Sequence, residues 1–169
     1  MVYRVDVKHI GHYLEEVDIF RGLSERHLER IAALCEEREF KEGDYLGVQN
    51  EVSESLYVIT RGEIVVTTTS KGVDVVVRRV KSKETLPVAV LFEPPRMVTT
   101  ARAATDGKAI VIPRVRFMEL CELEPRIGMH IYKAVCGVLM SRYRYTLERL
   151  AESLDPAWHL DPAWKGAEV

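Results

Sequence analysis

Cysteine is scarce: the 169 residues hold three, Cys35, Cys121 and Cys136, far apart. A four-cysteine zinc or iron–sulfur site within one chain is thereby excluded. Odd in number and scattered, they fit reduced thiols of a cytoplasmic protein better than a disulfide framework. Charge of one sign is lacking too. Lys and Arg total 24 against 26 Asp and Glu, a net charge of -2, whereas a dedicated nucleic-acid binder carries a basic excess. No run of apolar residues is long enough to span a membrane. The first residues, MVYRVDVKHIGHYLEEVD, lack the apolar core of an export signal. Histidines are few, and His9, His12, His27, His130 and His159 all fall in predicted helices or the tail. Metal-dependent barrel enzymes take histidines from strands, so the placement weighs against this class. His9 and His12 could supply two metal ligands, but no third lies in range, and no metal is expected. P-loop, G-x-S-x-G and H-E-x-x-H motifs are absent. Cys121 and His130 fall in different predicted helices, so no nucleophile–base pair is assigned. The chain is expected to be no enzyme and to have no catalytic residues.

What is present is an ordinary globular composition, with 47% hydrophobic and 30% charged residues. The length suits one domain, residues 1–153, followed by an extended tail, residues 154–169. The first third reads as helix: Tyr13 to Phe20, ended by Gly22, then a second helix capped by Ser24. Leu23 and Leu28 flank that cap in staple positions, and Glu36 to Glu39 closes the helix. From Phe40 the period changes to two. Ser55–Thr60, Glu63–Thr67, Val73–Val80, Thr99–Ala103 and Ala109–Ile112 read as strands, separated by turns at Arg61-Gly62, Lys71-Gly72 and Asp106-Gly107. Such spacing implies a sandwich or small barrel. Thr85 can cap a one-turn helix with Pro87 near its start, stopped by Pro94-Pro95. After Pro113 come a short helix from Phe117 to Leu123 and a long one from about 126 to 153. The long helix carries an apolar stripe, Tyr132, Val135, Leu139, Tyr143, Leu147 and Leu150, and a second one, Ile131, Val138 and Tyr145. Two stripes exceed what one packing contact needs, which points to a partner helix. The tail repeats Asp-Pro-Ala-Trp at Asp155 and Asp161 and holds both tryptophans. Its rings either dock on the body or form a partner-binding arm.

These segments resemble a known family. Ile19-Phe20-Arg21-Gly22-Leu23-Ser24, Phe40-Lys41-Glu42-Gly43-Asp44-Tyr45-Leu46, Leu56-Tyr57-Val58-Ile59-Thr60-Arg61-Gly62-Glu63-Ile64, and Ala109-Ile110-Val111-Ile112-Pro113 with Phe117 are similar to successive elements of the cyclic-nucleotide-binding domain, the sensor of catabolite-activator (CRP/FNR) regulators. The resemblance implies a mainly β fold with flanking helices. In it a double-stranded β-helix (jelly-roll) barrel of eight strands lies between N-terminal helices and a long C-terminal helix.

It also implies a ligand site. The family's phosphate cassette reads Phe-Gly-Glu, two small or apolar residues, Pro-Arg and a small-Thr-Val run. Backbone amides at a one-turn helix and an arginine fork meet the phosphate, and the glutamate accepts from the ribose. Here the cassette falls on Leu86, Pro87, Val88, Ala89, Arg96, Thr99 and Thr100. Pro95-Arg96 matches, but Gly and Glu are replaced by Leu86 and Pro87, or by Pro87 and Val88 with a one-residue slip. One residue is inserted between Arg96 and the Thr run. Losing the carboxylate contact alone costs about 1.5–3 kcal/mol, roughly ten- to a hundred-fold in affinity. Thr146 falls near the family's base-reading position on the long helix, and a mid-helix Thr often bonds back to its own turn instead.

The expected function is therefore a regulatory small-ligand-sensing module that does not bind cAMP in the usual way. No cofactor is certain; the expected ligand is a cyclic nucleotide or another small anion. The alternative is a ligand-free dimeric interaction module on the same fold. An inward Arg96 beside an open cavity favours the first, and a filled pocket the second. The expected partners are a second copy through the long helix, and a protein partner. The residues after Ser153 are too few for a helix-turn-helix, so DNA binding by this chain and membrane association are not expected.

Overall fold

The computed structural model describes residues 6–153. The Asp-Pro-Ala-Trp repeat and both tryptophans lie outside the described residues. The chain divides into two compact units, after Val135.

The first unit opens with α1 (Val7–Glu15), where Asp6 accepts from the amides of Lys8 and His9 at 3.1 and 3.2 Å. The helix thus begins and ends earlier than the apolar cluster Leu14–Phe20 suggests, because Asp6 is the cap and residues 17–20 form turns that bury Val17, Ile19 and Phe20. Ser24 caps α2 (Glu25–Ala32), its hydroxyl accepting from the His27 amide at 3.4 Å. Gly11 brings α1 against the backbone of Leu28 and Glu29. The charged run Glu36 to Glu39 does not close this helix. It is the exposed part of a strand, β1 (Glu36–Phe40), at a sheet edge where only Phe40 is buried. Charge suits an edge, which water reaches.

The remaining strands are β2 (Tyr45–Gly47), β3 (Ser55–Arg61), β4 (Ile64–Ser70), β5 (Val73–Val80), β6 (Thr85–Leu86), β7 (Thr100–Ala103) and β8 (Gly107–Pro113). They form two four-stranded antiparallel sheets, ordered β1-β8-β3-β6 and β2-β7-β4-β5. The hydrogen-bonded ladders stay within each sheet, so mainly antiparallel sheets with flanking helices are what is observed of the expected barrel. One apolar cluster draws on both, with Phe40, Ile59, Leu86 and Ala109 from the first and Ile64, Val66, Val80 and Ala101 from the second. Gly62 turns β3 into β4 at φ 95°, a conformation that costs glycine little. Gly107 is tighter still, since a Cβ there would stand 2.2 Å from the Arg61 carbonyl oxygen.

Thr85 is not a helix cap. It is a buried strand residue, and Pro87 stands before the one-turn helix Val88–Leu91, which ends three residues before Pro94. Pro113 precedes α3 (Arg114–Leu123), which begins earlier than Phe117. Phe117 meets Phe20 edge-on at 6.3 Å between centroids. Glu124, between α3 and α4 (Pro125–Ser153), pairs with Arg30 of α2. Ile127, Ile131 and Val135 of α4 are buried in the first unit.

In the second unit α4 continues to Ser153, with Leu139, Tyr143, Leu147 and Leu150 exposed. Thr146 donates to the Arg142 carbonyl one turn earlier at 2.9 Å, the back-bonded geometry of a mid-helix threonine.

Candidate functional site

The segment from Thr85 to Thr100 joins the two sheets, and its backbone decides which side chains can converge. Strand β6 pairs with β3 through Leu86↔Tyr57 and Thr85↔Val58. That pairing turns Leu86 into the core, where it is 4% exposed. Pro87 then leads into the one-turn helix and brings no amide hydrogen. Val88 and Ala89 are half-buried, and Val90 and Leu91 fully buried. Neither residue at the two positions expected for Gly and Glu offers close backbone approach or a carboxylate.

Arg96 is exposed, and its Nη1 donates to the Asn50 carbonyl at 3.0 Å. The neighbouring Met97 is 2% exposed and joins the core. It lies so close over Gly47 that a Cβ there would meet its Cε at 2.5 Å. Arg96 forms an isolated bridge with Val52, and its side chain faces outward while that of Met97 faces inward. Beyond two bent residues, Val98 and Thr99, strand β7 alternates again, with Ala101 and Ala103 buried and Arg102 exposed. Thr100 accepts from the Gln49 amide at 3.0 Å, and Thr99 is half-buried. Of the expected site residues, Leu86 sits within the core and Arg96 on the surface.

Two residues that the cassette pattern does not include hold this segment. Arg114 Nε donates to the Val90 carbonyl at 2.9 Å, and its guanidinium also pairs with Glu93. The Tyr132 hydroxyl donates to the Leu91 carbonyl at 3.1 Å. The last carbonyls of the one-turn helix are thereby bonded to α3 and to α4. Arg114 follows the strand-ending Pro113, a place where a basic side chain can reach back; Tyr132 was visible only as part of an apolar stripe.

Burial pushes the Cys35 thiol up to about 12 and the Cys121 thiol to about 11, so neither is a thiolate near neutrality. Among the described residues no group of three His, Cys, Asp or Glu could hold a metal ion, and no helix is long and apolar enough to cross a membrane.

The family model of the cyclic nucleotide-binding domain matches residues 37–124. Among solved structures, a cyclic nucleotide-binding domain from Methylobacillus flagellatus superposes with a TM-score of 0.75 at 14% identity, covering 90% of this chain and 86% of that one. The catabolite activator protein of Thermus thermophilus gives 0.68 at 17% identity, covering 79% and 62%. The regulatory domain of Toxoplasma gondii PKA, solved with cAMP, gives 0.64 at 17% identity, covering 70% of this chain and 46% of its own. At these identities the likeness is one of fold. No curated protein matches the chain.

Proposed function

The chain belongs to the cyclic nucleotide-binding domain family, and on that premise we propose that it is a non-catalytic regulatory module that senses a small ligand without the family's usual cyclic-nucleotide contacts. The carrying observation is the attachment of the one-turn helix: Arg114 and Tyr132 bind its last carbonyls from α3 and α4. A ligand that displaces this helix acts directly on both. That is the linkage a sensor needs, because a ligand shifts an equilibrium only through contacts that differ between the two states. The altered recognition rests on Arg96, bonded to Asn50 on the outside, and on Leu86 and Met97, which occupy the interior.

On this reading the two sheets are the halves of a jelly-roll, and the module is a cytoplasmic homodimer. Free thiols at Cys35, Cys121 and Cys136 suit a reducing compartment. Leu139, Tyr143, Leu147 and Leu150, at helical spacing and exposed on α4, support a helix-to-helix contact between copies. The filled interior around Leu86 and Met97 favours a second reading, a ligand-free interaction module on the same fold.

Calorimetric titration with cAMP and cGMP tests the proposal. The expected result is a Kd weaker than about 1 mM for both, which is about 4 kcal/mol of binding. Micromolar binding that Arg96→Ala abolishes would restore the usual mode. Native mass spectrometry of the purified protein separates the two readings, since a co-purified small molecule supports sensing and a bare dimer supports the ligand-free module.

A further inference from the structure

Arg78 lies on the inner face of its sheet. Val80 pairs with Ile64, and both are fully buried. Two residues back, Arg78 pairs with Val66, which pairs on its other side with Ala101. Val66 and Ala101 are core residues, 5% and 1% exposed. Residues in register across a sheet share a face, so this row places a guanidinium beside two buried apolar side chains. A bulge follows: after Val66↔Arg78 the next pair is Thr67↔Val76, leaving Val77 as the extra residue.

From there the side chain crosses between the sheets. Its Nη2 donates to the Thr85 carbonyl at 3.2 Å, linking the edge strand β5 of one sheet to the edge strand β6 of the other. Half-buried, it forms no ion pair among the described residues, while Arg79 pairs with Glu63, Arg30 with Glu124 and Arg114 with Glu93. Glu84 is the acidic group that acts on it, at longer range, and the Glu84 carboxylate itself accepts from the Lys81 amide at 2.7 Å. Desolvation opposes the charge on Arg78, yet a guanidinium cannot shed its proton in a protein. Charges withdrawn from water are ordinarily paired, and this one holds a single carbonyl.

We propose that Arg78 is the anion-recognising residue of this chain, taking the phosphate or carboxylate group of a small ligand that enters between the edges of β5 and β6. This rests on the sensing reading above and relocates its recognition from Arg96. The fork of the guanidinium can meet two oxygens at once, and turning to a ligand releases the Thr85 carbonyl of β6, a strand that stays paired with β3 and runs through Leu86 and Pro87 into the one-turn helix held by Arg114 and Tyr132. Recognition and transmission are then adjacent in the chain.

The test is calorimetric titration of the full chain with inorganic phosphate, adenosine 5′-monophosphate and citrate, with uncharged adenosine as control. The phosphate arms and the citrate arm separate the two sources of anionic charge. At least one anion is expected to bind with a Kd below about 1 mM, to weaken at least about tenfold in Arg78→Met, and to stay within about threefold of wild type in Arg96→Ala. Arg78→Lys keeps the charge and loses the fork. It is expected to weaken binding by a similar factor, so it decides the matter should Arg78→Met fail to fold. An anion whose affinity is the same in the Arg78 variants overturns the assignment and leaves sensing intact. No binding by any anion overturns the assignment, and sensing falls with it only if native mass spectrometry also finds the protein bare.

Discussion

The hydroxyl of Tyr132 on α4 donates to the carbonyl of Leu91 at 3.1 Å, at the end of the one-turn helix. Both residues belong to the first unit, so this bond fastens the junction segment to the beginning of the long helix. Tyr132→Phe removes the bond and little else. It is expected to lower stability by about 0.5–1.5 kcal/mol, which a thermal melt reads as a drop of a few degrees, about 2–4 °C per kcal/mol. Faster hydrogen exchange should appear around the one-turn helix. An unchanged melt together with unchanged exchange would show that the bond does not hold that helix.

Met97 and Leu86 sit in the space between the sheets, 2% and 4% exposed. Truncating either to alanine leaves a void that close-packed neighbours fill only in part. Each change is expected to cost about 2–5 kcal/mol in urea unfolding. A loss below about 1 kcal/mol would mean that the interior collapses around the gap, contrary to a rigid, filled core.

Asp106 accepts from the Glu42 amide at 2.8 Å and from Lys41 Nζ at 3.0 Å. The amide bond chiefly, and the lysine with it, hold its carboxyl below the usual carboxylate range. A lowered folded-state pKa contributes stability above the unfolded value, and that contribution is lost as pH falls through the folded one. Acid titration of Asp106→Asn should therefore show a smaller loss of stability below about pH 4 than wild type. Identical acid profiles would remove Asp106 from the acid response.

On the second part of α4, Leu147 is 44% exposed and Leu150 51% exposed. Glutamate at both positions places like charges along the proposed helix pair. Light scattering after size-exclusion chromatography should then report half the wild-type mass, with unchanged circular dichroism. A wild type that is already monomeric would end the dimer reading.

The Ser24 cap and the Arg61-Gly62 and Lys71-Gly72 turns were legible because they depend on neighbours in the chain, whereas the Thr85 cap failed because pairing with β3 claims that residue. Ser24, Gly62 and Gly72 behave as their residue types dictate, while Lys71 takes a positive φ of 51° that its type does not favour. Glu36 to Glu39 were not legible, since four exposed charged residues look alike on a helix end and on an edge strand; only pairing with β8 distinguishes them. Arg96 was identifiable as the cassette arginine, but its direction goes with a bond to the Asn50 carbonyl, 46 residues away. Arg78 was hidden because the charged Arg79 and Lys81 flank Val80 and the bulge at Val77 breaks alternation along β5; only the pairing of Val80 with Ile64 and of Arg78 with Val66 shows which side faces inward. The bonds from Arg114 and Tyr132 join residues 24 and 41 positions apart, a relation no local pattern carries.

Arg96 and Met97 are chain neighbours that face opposite ways, the one bonded to the Asn50 carbonyl, the other packed over Gly47 in the core. The two positions therefore divide the tolerance of this segment between them. A change of side-chain size at 96 is met by water and one carbonyl, while the same change at 97 is met by packed atoms. Equal substitutions one step apart thus carry unequal cost.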